Sequence, residues 1–82
     1  MATTVSDLRK HLKVYGQLSV SEGYMTADAA RNVVRTVDAA GTTADALIAL
    51  EQFLEDVRST EMVPPAKRDI SRIINHYREN GY

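Results

Sequence analysis

Thr43–Arg58 reads TADALIALEQFLEDVR, and this stretch decides the fold. At 100° per residue, Ala46, Leu47, Ala49, Leu50, Phe53, Leu54 and Val57 fall within one arc of about 160°. An arc that wide exceeds what a helix needs to meet one neighbour. The stretch is therefore expected to be a helix packed against two or more others. Thr42 or Thr43 is placed to cap its free backbone N–H groups. Asp45 stands three residues after Thr42, near the positive end of the helix dipole. The outer face carries Glu51, Gln52, Glu55 and Arg58, with Ile48 among them. A single exposed isoleucine is ordinary on a protein surface. Its sharper reading is a contact point for a partner or a second copy.

The flanking segments read as amphipathic helices that need such a surface. Val5, Leu8, Leu12, Tyr15 and Leu18 keep one stripe apolar and predict a first helix over residues 4–16, capped by Thr4. Gly16 disfavours a helix interior and marks its end. Residues 17–25, QLSVSEGYM, read either as a loop or as an extension of that helix. A second helix is expected over residues 26–40, capped by Thr26, with Ala27, Ala30, Val33, Val34, Val37 and Ala40 on one face. Its outer residues Asp28, Arg31, Arg35 and Asp38 are spaced to pair with one another. Gly41 is placed as a left-handed closing residue. The third helix then runs over 43–59. STEMVPP interrupts the pattern before a fourth helix over 65–80, whose stripe is Ala66, Ile70, Ile73, Ile74 and Tyr77, with Gly81 as its stop. The expected fold is all-α: a compact four-helix bundle-like single domain spanning residues 1–82.

Composition narrows the function. An apolar fraction of 44% and a charged fraction of 26% are those of a globular chain rather than a disordered one. With no cysteine, disulfide scaffolds, thiol catalysis and the usual zinc sites are excluded. The N-terminal residues lack the apolar core of a signal peptide, and no run approaches the length of a membrane span. A cytoplasmic protein without membrane contact is expected. Net charge is −1, unlike the strongly basic balance of a dedicated nucleic-acid binder. The charge is uneven, with basic ends and an acidic middle, so two faces of opposite sign are expected.

Chemistry-bearing residues are sparse. Asp7 and His11 are four apart and are spaced for a carboxylate–imidazole pair, a pattern that arises often by chance. No second motif joins them, no Gly-rich phosphate loop exists, and two scattered histidines form no metal signature. The glycine-centred segment 38–45 lacks the ligand spacing of a calcium loop, since Ala40 falls at its third position. No catalytic residue, cofactor or metal is assigned, and the protein is expected not to be an enzyme.

The reading that remains is a small protein acting through its surface. The first expectation is an adaptor, regulator or inhibitor of another protein, of the kind encoded by viruses or mobile elements, with a homodimer as one form. Its candidate contact residues are Tyr24, Ile48, Glu51, Glu55 and Tyr82. The alternative is a small DNA- or RNA-binding regulator. Arg9, Lys10 and Lys13 would merge with Lys67, Arg68 and Arg72 into one basic patch if the first and last helices lie side by side. A helix-turn-helix built on residues 26–58 is disfavoured, because the second of its helices is acidic. A third reading is a structural subunit of a larger assembly.

Overall fold

The structure, a computed structural model, describes residues 5–80. Four helices follow in order: α1 (Val5–Ser21), α2 (Ala27–Asp38), α3 (Thr43–Asp56) and α4 (Pro64–Glu79). No strand occurs among the described residues. The expected all-α four-helix domain is present. The cap assigned to Thr4 and the stop assigned to Gly81 lie outside the described residues.

α3 is central, as its wide apolar arc requires. Ala46, Leu47 and Leu50 are fully buried and Leu54 nearly so. Leu8 and Leu12 come to them from α1, Val33 and Val37 from α2, and Ile70 and Ile74 from α4. Ile48 stays on the surface, 62% exposed. The Thr42 hydroxyl accepts from the Asp45 N–H at 3.1 Å, and the Thr26 hydroxyl accepts from the Ala29 N–H at 3.1 Å, so both expected threonine caps form. Each satisfies a donor that has no partner inside its helix.

The helix boundaries differ from the sequence expectation in several places. α1 does not stop at Gly16 but continues to Ser21. Gly16 is an interior contact residue, because a Cβ placed there would lie 3.3 Å from the Cβ of Ala30. The missing side chain lets α1 approach α2 closely, which offsets its low helix propensity. The true end of α1 is Gly23, with φ +79°. The Gly23 N–H donates to the Val20 carbonyl at 3.1 Å and the Tyr24 N–H to the Ser19 carbonyl at 2.8 Å, the paired bonds of a Schellman closure. α2 ends at Asp38, two residues early, and Ala39 caps it in a right-handed conformation. Gly41 is not left-handed, since among the described residues Gly23 alone combines glycine with positive φ. α3 ends at Asp56, with extended Val57 as its cap. α4 starts at Pro64, one residue early, because both prolines fit a first turn that needs no N–H donor.

The α1–α2 and α3–α4 connections are clasped together. Met25 and Met62 form an isolated antiparallel bridge. The Thr26 N–H donates to the Glu61 carbonyl at 2.8 Å and the Val63 N–H to the Tyr24 carbonyl at 3.0 Å. Met62, inside the segment that broke the helical pattern, is fully buried.

Candidate functional site

A solvent-open groove of about 580 Å³ runs between α1 and α2. Ala30, which packs against Gly16, is among the residues that line it. Val20, Ala27, Ala30 and Val34 give it an apolar floor, and Lys13, Arg31 and Arg35 stand around it. Arg31 pairs with Asp28. Asp38 also lines the groove, and Arg9 holds its carboxylate at 2.6 Å. Lys13 and Arg35 enter no ion pair among the described residues. The groove therefore combines apolar contact surface with positive charge that no ion pair among the described residues compensates.

The sequence expectation missed this groove because it assigned Ala27, Ala30 and Val34 to one buried face together with Val33 and Val37. The structure splits that face. Ala29, Val33 and Val37 are buried against the core, Ala27 is exposed, and Ala30 and Val34 are half-buried in the groove. The available signal was position: Val34 lies about 100° around the helix from Val33. The arginines at 31 and 35 also flank Val34 at i−3 and i+1.

α1 requires a second correction. Leu18, expected in its buried stripe, is 61% exposed, and Val14, one turn away, is 56% exposed. The buried residues at this level are Gly16 and Ser19. Continuing the helix past Gly16 rotates Leu18 outward and brings Ser19 inward.

Several of the cations expected to merge are engaged elsewhere. α1 meets α4 through uncharged or acidic groups: Tyr15 Oη donates to Asp69 Oδ2 at 2.9 Å, and His11 Nδ1 lies 3.3 Å from Tyr77 Oη. Arg9 and Lys13 instead face α2. On α4, Lys67 Nζ donates to the Val57 carbonyl at 2.9 Å and so satisfies a backbone acceptor at the end of α3. Arg72 is 3.6 Å from Asp69 on its own helix, while Lys10 and Arg68 are exposed.

Of the residues proposed for protein contact, Ile48, Glu51 and Glu55 share α3, whereas Tyr24 stands apart from them. Glu51 forms an ion pair with Arg78 that joins α3 to α4, and this hydrogen bond holds its carboxyl below the usual carboxylate range. Glu55, with Glu51, Leu54, Lys67 and Ser71, lines a shallow cleft of about 290 Å³ between the same helices. Ile48 stands beside these acids on α3. Tyr24 is 46% exposed in the clasp between connections, and Tyr82 lies outside the described residues.

The His11 ring, considered from the sequence as a partner for Asp7, contacts Tyr77 across the α1–α4 seam. Among the described residues no three His, Asp or Glu side chains are gathered as a metal ion would require. None of the described helices is long and apolar enough to cross a membrane. No known protein family, curated protein or solved structure matches the chain, so every residue role rests on geometry.

Proposed function

We propose that the protein is a non-enzymatic binding module that engages another protein through the α1–α2 groove, in the role of an adaptor, regulator or inhibitor. One observation carries this reading: an open apolar trough of about 580 Å³ flanked by Lys13 and Arg35, neither of which enters an ion pair among the described residues. A trough of that shape suits an amphipathic helix laid lengthwise, with apolar side chains on the floor and acidic ones beside the cations. Catalysis is not part of the proposal. The groove's single carboxylate, Asp38, is already held by Arg9, and its other polar groups are cations, the Gln17 amide and the Ser21 hydroxyl.

The test is capture of partners from the native host's lysate on tagged protein, with and without nuclease, comparing wild type with Lys13→Glu/Arg35→Glu. The expected result is a protein that survives nuclease and is lost from the charge-reversed variant. Capture that is equal on both, or absent from both, overturns the groove as the contact surface. Capture abolished by nuclease would move a nucleic acid into first place.

A further inference from the structure

We infer that the occupant of the α1–α2 groove is a second copy of this chain, which inserts the outer face of its α3. This rests on the reading of the groove as a docking surface and names what docks there. The two surfaces are complementary in charge and in apolar character. The groove offers an apolar floor with Lys13 and Arg35, neither in an ion pair among the described residues. α3 offers the reverse: its only charged residues are the acids Asp45, Glu51, Glu55 and Asp56, of which Glu51 is already paired with Arg78 of α4 and Glu55 stands nearest to Ile48 in angle around the outer face.

The outer face of α3 holds one large apolar side chain, Ile48, at 62% exposure. Ile48 and Glu55 lie on one stripe, two turns apart, or about 10 Å along the axis. Glu55 enters no ion pair among the described residues. An isoleucine projecting from an acidic helix face is the counterpart of a trough with an apolar floor and cationic sides. The chain cannot satisfy this match internally, because the opposite face of α3 is held in the core by Ala46, Leu47 and Leu50. A second molecule is required.

Groove and α3 face share no residue. Their contact closes as a two-fold dimer if each copy's α3 enters the other's groove, and otherwise builds a ring or an open chain. Desolvating the apolar floor provides affinity, and the charges provide orientation and a dependence on salt.

Sedimentation equilibrium of the full chain at low and high salt tests this, with circular dichroism confirming that each variant keeps its helices. The expected result is an average mass that rises with concentration at low salt and less at high salt. Ile48→Asp, Glu55→Lys and Lys13→Glu/Arg35→Glu should each weaken association about tenfold or more. An equimolar mixture of Glu55→Lys with Lys13→Glu/Arg35→Glu should restore it, since each acid again faces a base. A wild type that stays monomeric up to millimolar concentration at low salt overturns the inference. So does association that Ile48→Asp leaves intact, or a charge-swapped mixture that fails to recover. If the wild type is monomeric yet still captures a partner that Lys13→Glu/Arg35→Glu loses, the groove reading stands and self-docking alone falls.

Discussion

Two tyrosines tie α1 to α4, and both are set up to resist ionisation. Burial is the main force raising the Tyr15 hydroxyl; a hydrogen bond with Ser19 opposes it, and the Asp69 carboxylate adds to it. Burial also raises Tyr77, with the charge of Asp7 as a second cause. A phenol whose folded pKa is raised keeps its proton while the unfolded chain begins to lose it. Above the ordinary tyrosine value of about 10, the native state then binds more protons than the unfolded one, so stability must fall as pH rises. This contribution is complete below pH 10 and is lost as pH climbs through the raised values. Chemical denaturation at increasing alkaline pH should show the midpoint dropping beyond about pH 10. In Tyr15→Phe/Tyr77→Phe that part of the drop should vanish, even if the variant is less stable at neutral pH. A double variant with the same alkaline slope as wild type would assign the loss to other groups.

Within α1, the residue that looks like a terminator is a packing device. An exposed glycine in a helix costs about 1 kcal/mol relative to alanine. Gly16 is buried, however, and its neighbour is Ala30 on α2. Tertiary contact outweighs local propensity here. Ala30 also lines the groove, so the contact lies beside it. Gly16→Leu should therefore push α1 and α2 apart and cost about 1–3 kcal/mol as an overpacked contact, measured by urea unfolding. A neutral or stabilising effect would mean the helices do not meet closely at this level. Gly23 has a different role in the same element. Its left-handed backbone turns the chain out of α1 and allows the paired bonds from Gly23 and Tyr24 to the last turn.

At the scale of the molecule, the two connections without helical periodicity hold the ends of the helices in register. Met25 and Met62 bridge them, and Met62 is fully buried with the core residues of all four helices. Met62→Ala should cost about 2–5 kcal/mol, because it removes core volume at the junction between the two helix pairs. Met62→Leu nearly conserves volume and should cost less than about 1.5 kcal/mol. Thermal or denaturant unfolding of the two variants separates the cases, and similar small losses for both would demote the clasp to a surface contact. A clasp of this kind leaves the outer faces of α1, α2 and α3 available, where Val14, Leu18 and Ile48 remain exposed.

By itself the sequence determined that there are four helices and which apolar residues anchor each of them in the core. Periodicity is a local property: Leu8 and Leu12, Leu47 and Leu50, Ile70 and Ile74 recur at the spacing of one helical face, and hydroxyl caps at Thr26 and Thr42 need only the three residues that follow them. It also placed Ile48 outside, because the arc of its neighbours left no room for it within. What only the tertiary structure decided were matters of distance between segments far apart in the chain. Gly16 could be read as a helix end until Ala30 was found against it, and Leu18 could be read as core until the continued helix turned it outward. Arg9 was expected on a basic patch but meets Asp38, and Lys67 was expected there too but closes the end of α3. Val34 and Val33 are adjacent in sequence and equal in hydrophobicity, yet one lines an open groove and the other is buried. Which side of α2 faces the core is set by where α1 and α3 dock, and no single helix encodes that.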